Sequence, residues 1–229
     1  MNVDCIILTN SDNADKIRLT KRTILTLKDS EPNINFDVYL VDSANSSHPQ
    51  HYNTITTKYI QPKENFNYNR FLNIASSYLK NDWVIISNND VGYEYGWLSE
   101  IFKIHQERPD IESFSPKDPL LYMKYYDWHF VGSEAKYYEC YKVTEAVNGW
   151  CIVIKKCALD KILPFDEIFD MYYQDNDYAE TLKSKGIKHA LVRNSIACHL
   201  NTLNVRMMND DQKRKFKIDE IKFRTKWNQ

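Results

Sequence analysis

One short apolar run constrains the fold of this chain more than any other stretch, because it stops abruptly on small polar residues. Residues 82–91 read DWVIISNNDV. A continuous apolar run of this length predicts a strand buried on both faces, as in a parallel sheet. In open α/β sheets, ligands bind beyond the carboxyl ends of the strands. Asn88, Asn89 and Asp90 are therefore predicted to face a ligand or a metal ion.

Strands and helices alternate through the first half of the chain, which predicts a parallel sheet with right-handed crossovers. Apolar runs predict strands over 3–8, 36–41, 55–60 and 83–87. Apolar residues at helical spacing predict helices over 14–28 and 67–79. The predicted fold class is α/β, with a mixed, mostly parallel central sheet, helices on both faces and a C-terminal helix.

The pattern is less regular in the second half. Further strands are predicted over 146–154, 188–192 and 197–199, and further helices over 97–106, 157–162 and 172–185. The aromatic segment 113–141 contains Pro116 and Pro119 and predicts an inserted loop or an antiparallel ribbon. Without a visible linker or repeat, we predict one domain over 1–202, with halves 1–91 and 92–202, followed by a basic helical tail over 203–229.

Composition disfavours several classes of protein. The 229 residues carry a net charge of -1, so the whole chain has no general attraction to nucleic acid or membrane. The five cysteines form no CxxC pair, which disfavours a zinc site or a disulfide framework and fits a reducing, cytoplasmic setting. No apolar run approaches the roughly 20 residues that span a bilayer. We expect no secretory signal and no transmembrane segment, with peripheral membrane attachment as the alternative to a purely cytoplasmic protein.

Two polar features of the second half suggest chemistry. His199 ends the last predicted strand, and a lone histidine is more often structural than a ligand. Combined with Asp90 and a phosphate, however, it would form a divalent metal site of oxygen and imidazole ligands. The acidic cluster QDND at 174–177 opens a predicted helix, where the helix dipole alone favours carboxylates.

Taken in order along the chain, these stretches resemble the GT-A glycosyltransferases, specifically their GT2-like inverting group. Residues 86–91 resemble an NND version of the DxD motif of that family, and 147–155 resemble its acceptor-side strand. Residues 165–186 resemble its FDE segment and the acidic helix start that follows. His199 stands where the late histidine of the family stands, and 223–227 resemble an ending seen in some members.

The resemblance implies an inverting transfer of a sugar from a nucleotide sugar, with UDP-sugars as the first expectation, to a hydroxyl acceptor. Asp175 would be the general base, and Asp90 and His199 would hold Mn²⁺ or Mg²⁺. Gly149 and Trp150 would bind the acceptor. The implied donor-binding residues are Thr9, Asn10, Asp42, Arg70, Asn88 and Asn89.

Several alternatives stay open. Asn88 replaces the first acid of the DxD motif and Gln174 replaces the usual Glu before the base, so a non-catalytic carbohydrate- or nucleic-acid-binding module is one alternative. A nucleotidyltransferase is another, but residues 9–13 lack the glycine that its phosphate loop would need. Core packing is as reasonable for Trp150 as acceptor stacking, and a solvated helix end is as reasonable for Arg70 as a donor contact.

The acceptor is not identified by any motif. A glycan or a lipid-linked glycan is the default expectation. Residues 206–226 contain eight Lys or Arg against four Asp or Glu, so the tail could also hold a phosphate-rich acceptor, including nucleic acid or an anionic membrane surface. A solvated helix face is the commoner explanation of such a tail.

Overall fold

The structure is a computed structural model that describes residues 1–44, 49–119, 130, 133–143, 145–200 and 208–228. Its strands are β1 (Asn2–Thr9), β2 (Asn35–Asp42), β3 (Lys58–Ile60), β4 (Trp83–Asn88), β5 (Val91–Tyr93), β6 (Ile111–Lys117), β7 (Tyr137–Glu139), β8 (Cys151–Lys155) and β9 (Lys188–His199). Its helices are α1 (Ala14–Ser30), α2 (Tyr68–Ser76), α3 (Trp97–Glu107), α4 (Lys156–Leu159), α5 (Gln174–Ser184) and α6 (Asp210–Trp227).

The described strands form one mixed sheet in the order β3-β2-β1-β4-β8-β6-β9-β5, and β7 also pairs with β9. The first four strands in this order are parallel neighbours. Strand β8 runs antiparallel to both β4 and β6, and β6 is parallel to β9. Strands β5 and β7 run antiparallel to β9. Six of these nine strands therefore share one direction, which confirms the predicted mixed, mostly parallel sheet.

Helices cover both faces of the sheet, as predicted. Successive side chains of a strand point to opposite faces, so β1 contributes to two apolar cores. Cys5 and Ile7 belong to the core that contains residues of α1 and α3. Ile6 and Leu8 belong to the core that contains residues of α2, α4 and α5. The strand is consequently buried from its second residue to its carboxyl end.

The second half differs from the sequence-based prediction in one important element. Residues 111–117 form β6, an interior strand between β8 and β9, where an irregular segment over 113–141 was predicted. The hydrophobic pattern did not indicate a strand here, because the side chains of Ser113 and Ser115 are polar yet have 0% exposure. Of the predicted aromatic segment, residues 120–129 and 131–132 lie outside the described residues, as do 203–207 of the predicted tail.

The remaining boundaries differ less. The predicted strand over 146–154 begins only at Cys151, and the two predicted strands at 188–192 and 197–199 are one strand, β9. No helix in the described ranges is long and apolar enough to cross a membrane. The division into halves 1–91 and 92–202 stays a prediction.

The polar side chain of Ser113 is part of a buried hydrogen-bonded chain that crosses the core. Its Oγ lies 2.7 Å from the Tyr178 hydroxyl and 2.8 Å from His189 Nδ1. The His189 Nε2 atom lies 3.1 Å from the Ala146 carbonyl oxygen. Because a carbonyl can only accept, Nε2 carries the proton and Nδ1 accepts from Ser113. Burial lowers the pKa of His189 to about 4.

We expect the free energy of unfolding to fall as the pH drops from about 6.5 toward 4. The unfolded imidazole takes up a proton near pH 6.5, whereas the folded one resists it down to about pH 4. The stabilisation is therefore complete above pH 6.5 and is lost through this window, at a cost of about 3 kcal/mol. Urea unfolding at pH 7 and at pH 4.5 should show a smaller loss in His189→Gln than in the wild type. An equal loss in both proteins would contradict this role of His189.

Candidate active site

The β5–β9 pair brings together the two residues predicted to bind metal. Strand β4 ends at Asn88, and after a two-residue turn Val91 lies opposite His199. The Asp90 carbonyl also accepts a hydrogen bond from the Leu200 amide, at 2.8 Å. This pairing places Asp90 and His199 side by side at the end of β4.

The side chains of Asp90 and His199 lie close together without a hydrogen bond between them. His199 Nε2 lies 3.1 Å from Asp90 Oδ1. The His199 side chain is 16% exposed and the Asp90 side chain is 13% exposed. Despite this distance, the relative orientation makes no hydrogen bond, and within the described residues Asp90 Oδ1 is a buried oxygen without a hydrogen-bond partner. A buried carboxylate oxygen in this state is costly unless a cation or a proton joins it.

The imidazole ring of His199 is held by its neighbours. It stacks on the indole of Trp150, with ring centroids 5.5 Å apart and planes 10° apart. The His199 backbone amide donates to the Asp118 carboxylate at 3.1 Å. The side-chain amide nitrogen of Asn88 lies 3.4 Å from His199 Nε2, and the Asn88 backbone amide donates to the Trp150 carbonyl at 2.9 Å. The ring is therefore held by Trp150, just before β8, and by Asn88, at the end of β4, while Asp118, just after β6, holds the His199 backbone.

This pair of residues fits a divalent cation. An unsatisfied carboxylate oxygen beside an imidazole nitrogen is a ligand set that suits Mn²⁺ or Mg²⁺ together with further oxygen ligands. Among the described residues there is no cluster of three or more His, Cys, Asp and Glu that could hold a metal. The remaining ligands would therefore come from water and from a bound phosphate group.

Two of the predicted donor-binding residues use their side chains inside the protein. Asn89 Nδ2 donates to Thr9 Oγ1 at 3.1 Å and to Thr20 Oγ1 at 3.0 Å. The Asn89 carbonyl accepts from the Thr23 hydroxyl at 2.8 Å. These bonds fasten the turn after β4 to helix α1. Thr9 and Asn89 thus position Asp90, and a donor contact by either residue stays a prediction.

Asp42, another of the predicted donor-binding residues, has 0% exposure. Its Oδ1 accepts from the amides of Ser11 and Ala44 at 3.0 and 2.9 Å, and its Oδ2 accepts from the Tyr59 hydroxyl at 2.8 Å. The carboxylate therefore organises the loops that follow β1 and β2. A direct contact between Asp42 and a base would require these loops to open.

Two further predicted donor-binding residues, Asn10 and Arg70, lie at the surface. Asn10 is exposed, and its amide donates to Asp12 at 3.3 Å. Arg70 Nε donates to Glu167 at 2.8 Å, in an ion pair whose side chains are 36% and 39% exposed. An ion pair this exposed stabilises the fold only slightly, so Arg70 could exchange Glu167 for a phosphate at little cost.

Asp175 lies in the first turn of α5, in a cleft of about 560 Å³ that is also lined by Asn88, Trp150 and His199. Its Oδ1 accepts from the Asn176 amide at 2.9 Å. Burial raises the pKa of the Asp175 carboxyl above its ordinary value. A carboxylate with a raised pKa is a stronger proton acceptor, and it is still ionised at neutral pH unless the shift is large. The structure thus brings the predicted base and the predicted metal ligand His199 into one cleft.

Gly149 lies directly against Asp175. A Cβ atom added at Gly149 would lie 2.8 Å from Asp175 Cβ and 3.2 Å from its Oδ2. Carbon atoms do not approach this closely, so any larger residue would push the start of α5 away. The role of Gly149 in acceptor binding stays a prediction, but its small size allows Asp175 to lie beside it.

We expect Gly149→Ala to destabilise the protein by about 1–3 kcal/mol, because overpacking forces a shift of backbone or side chain. Gly92→Ala is the matched control, since a Cβ there would meet only the Leu200 side chain at 3.8 Å. The two variants should separate in a urea unfolding experiment. Equal midpoints for both variants would show that the contact between Gly149 and Asp175 is not tight.

Trp150 and Tyr68 illustrate what the sequence left undecided. Trp150 is 8% exposed and offers one face to His199, so core packing accounts for most of its surface. Tyr68, the first residue of α2, was not singled out, although its ring lines the cleft. Burial, followed by the nearby charge of Asp175, raises the pKa of Tyr68. An aromatic residue at a predicted helix start was the only available signal for it.

The C-terminal helix contributes to the cleft as well. Phe216, on α6, lines the cleft together with Met208 just before that helix. The sequence predicted a basic tail there and gave no sign that it lines the cleft of Asp175. Gln174, the neighbour of the predicted base, also lines the cleft, and its buried Nε2 has no hydrogen-bond partner among the described residues.

No protein-family model and no curated protein sequence matches this chain. Solved structures do match it in shape. GalNAc-T7 with UDP, GalNAc and Mn²⁺ superposes with a TM-score of 0.65 at 10% identity, over 89% of this chain and 44% of that one. The mannosyltransferase PcManGT from Pyrobaculum calidifontis, in complex with GDP-Man and Mn²⁺, gives 0.66 at 13% identity, over 89% and 58%. S. aureus TarS 1–349 gives 0.58 at 13% identity, over 86% and 59%.

These similarities establish the fold. The chain has the GT-A fold, in agreement with the resemblance seen in its motifs. It spans between 44% and 59% of the length of these three solved structures. At such low identity the likeness concerns the architecture, so residue roles have to be argued from the site itself.

Proposed function

We propose that this chain is a metal-dependent glycosyltransferase that moves a sugar from a nucleotide-sugar donor to a hydroxyl acceptor with inversion. The observation that carries the proposal is the cleft, which Asp175 and His199 both line on a GT-A fold. Asp175 would act as the general base, and the pair of Asp90 and His199 would hold Mn²⁺ or Mg²⁺.

The cation side of the reaction rests on the unsatisfied oxygen of Asp90. When bound, a divalent cation would neutralise the negative charge that develops on the leaving diphosphate. Asp90 Oδ1 and His199 Nε2, 3.1 Å apart, would be its protein ligands. Trp150 stacks on the His199 ring and holds it in place, and Thr9 with Asn89 holds the turn that carries Asp90.

The number of carboxylates in the cleft supports an inverting mechanism. Among the described residues that line it, Asp175 supplies the one carboxylate. A single displacement needs one base, whereas a double displacement needs a nucleophile as well. The acceptor oxygen would bond to the anomeric carbon, the bond from that carbon to the phosphate oxygen would break, and its electron pair would leave with the diphosphate. The proton of the acceptor hydroxyl would go to Asp175.

The neighbouring structures support the donor class. Two of them contain Mn²⁺, one with UDP and one with GDP-Man. A nucleotide sugar with a divalent cation is thus a ligand that this architecture accommodates. UDP-sugars stay the first expectation for the donor, and GDP-sugars are the second.

The charges of α6 bear on the acceptor. Each of the seven basic side chains in this helix lies within 3.2 Å of a carboxylate. The positive charge of the tail is therefore balanced locally, as in a solvated helix face, and it favours nucleic acid or a membrane surface less than the sequence count suggests. A glycan or a lipid-linked glycan stays the expected acceptor.

The test is a panel of nucleotide sugars incubated with the protein and Mn²⁺, with water as the simplest acceptor. Release of the nucleoside diphosphate from one donor, and a freed sugar of inverted anomeric configuration by NMR, are the expected results. A sugar of retained configuration would contradict the assignment of Asp175 as base. Binding of nucleotide sugars without any release, even with added glycan acceptors, would favour the non-catalytic module.

A further inference from the structure

Helix α6 is attached to the start of α5 on both sides of Asp175. Before Asp175, the backbone at 170–172 bonds to α6; after it, the side chain of Asp177 bonds to α6. The Asp175 carboxylate accepts a hydrogen bond from the amide of its own neighbour, Asn176. The position of its carboxylate is consequently set by the backbone of this turn.

The first attachment is a buried carboxylate that collects backbone amides. Asp219, with 0% exposure, accepts from the amides of Asp170, Met171 and Tyr172 at 3.1, 3.0 and 3.0 Å. Lys222 Nζ lies 3.0 Å from its other oxygen. Burial opposes the charge of Asp219, but the three amides and Lys222 outweigh it and lower its pKa. Charge-assisted hydrogen bonds of this kind are strong, so this loop is held in one conformation.

The second attachment supports a strained residue. Tyr173 has a φ of +67°, in the left-handed region that residues other than glycine rarely adopt. Its ring packs on Phe216 and Phe223 of α6, with centroids 5.2 and 5.3 Å apart. Backbone strain persists only where the surroundings enforce it. Here α6 supplies those surroundings, two residues before Asp175.

The third attachment grips the first turn of α5 from the other end of α6. Asp177 is 5% exposed, and it accepts from Trp227 Nε1 at 2.8 Å and pairs with Lys226 Nζ at 2.8 Å. Lys226 also pairs with Asp166 at 2.9 Å. The last two residues of α6 therefore hold the helix turn that carries Asp175 against the preceding loop.

We propose that α6 is a positioning element for Asp175, and that Asp219, Lys226 and Trp227 are its positioning residues. None of the three touches the reacting atoms. Their effect on turnover rests on the proposed function, because it acts through Asp175 as the base. Their effect on the rigidity of 170–177 is independent of the proposed function.

The experiment compares Trp227→Phe and the double variant Lys226→Met/Trp227→Phe with the control Lys217→Gln. Phe keeps an aromatic ring and removes the N–H donor to Asp177, whereas Lys217 pairs with Glu220 and is 69% exposed. Hydrogen exchange is measured by mass spectrometry on peptides that cover 170–178 and, as an internal reference, α1. Binding of UDP and GDP with Mn²⁺ and the kcat for donor turnover are measured on the same samples.

We expect exchange in 170–178 to be at least about tenfold faster in the double variant than in the control, with α1 unchanged. We also expect kcat to fall by roughly 10²-fold while the affinity for the nucleoside diphosphate and Mn²⁺ stays within about twofold, because only the base is displaced. Lys226→Arg with native Trp227 should restore both values. If the α1 peptides of the double variant exchange as in an unfolded chain, that variant has not folded. The exchange of 170–178 in Trp227→Phe alone then decides the result.

Unchanged exchange in 170–178 in Trp227→Phe and the double variant would overturn the positioning role of α6. Faster exchange with unchanged kcat would overturn its link to Asp175. If the wild type binds no nucleoside diphosphate, the proposed function fails, and the exchange measurement still decides whether α6 holds this turn.

Discussion

Asp175→Asn is expected to lower kcat for sugar transfer by roughly 10²–10⁴-fold, the usual contribution of a positioned general base. The amide cannot accept the proton of an acceptor hydroxyl, but it matches the carboxylate in size. Its Oδ1 can still accept the Asn176 amide, as the carboxylate does at 2.9 Å. Binding of the nucleotide sugar should therefore be nearly unchanged, since the predicted metal ligands are untouched.

Stability separates this outcome from misfolding. Burial raises the pKa of Asp175, which means that the folded state disfavours its charge at neutral pH. Because Asn is neutral, Asp175→Asn should leave the melting temperature at pH 7 equal to or above that of the wild type. The control Asp160→Asn removes an exposed charge of α4's C-terminal end and should change neither kcat nor stability appreciably. Near-normal turnover in Asp175→Asn would rule out Asp175 as the base.

The pH dependence of kcat tests the role of the Asp175 carboxyl independently. Since the base must be ionised, kcat of the wild type should fall on the acid side, with an apparent pKa above the ordinary 3.8 of an Asp carboxyl. The direction of the shift comes from burial in the cleft.

Asp90→Ala is expected to remove most of the manganese dependence of donor binding. It deletes the buried oxygen that lies 3.1 Å from His199 Nε2 and lacks a hydrogen bond. A single imidazole is a weak site for a divalent cation, so the affinity for a nucleoside diphosphate with Mn²⁺ should fall by about 100-fold or more. Isothermal titration calorimetry with UDP and GDP, with and without Mn²⁺, measures this directly.

The control for Asp90→Ala lies beside the other end of strand β4. Asp82 is exposed just before β4, at the opposite end from Asp90, so Asp82→Ala removes the same charge far from the cleft. It should bind the nucleoside diphosphate and Mn²⁺ as the wild type does. Unchanged manganese-dependent binding in Asp90→Ala would remove this residue from the metal site.

The sequence predicted the strand that carries the site better than it predicted the surroundings of the site. The run over 83–87 is apolar on both faces, and β4 is indeed an interior strand next to β1 and β8. The position of Asn88 and Asp90 followed from the end of that run. Their nearness to His199 did not, because it depends on β5, a strand of three residues whose pairing with β9 leaves no periodic signal.

Polar residues account for what the sequence left undetermined. Thr9, Asn89 and Asp42 have the composition of a binding loop, yet their side chains bond mainly to other parts of the protein. Ser113 and Ser115 made an interior strand read as irregular. In each case a buried polar group is satisfied by a partner distant in the chain, and hydrophobic patterning does not report such partners.

The contacts of α6 with the Asp175 turn belong to the same class. A carboxylate that collects three amides from residues some 50 positions earlier is a tertiary feature, and only helical periodicity and charge were readable in advance. The basic count of the tail left a phosphate-rich partner open beside the commoner solvated helix face, whereas the ion pairs of α6 lie within the protein.

Thermal unfolding with nucleoside diphosphates and nucleotide sugars, each with Mn²⁺ and with a chelator, tests the metal-dependent donor site. A ligand that binds only the folded state at 100 times its Kd adds about 2.7 kcal/mol to stability. For a chain of 229 residues this corresponds to a rise of roughly 5–10 °C in Tm. We expect such a rise with a uridine or guanosine diphosphate compound only when Mn²⁺ is present. No rise with any of these compounds in Mn²⁺ would contradict the donor site at Asp90 and His199.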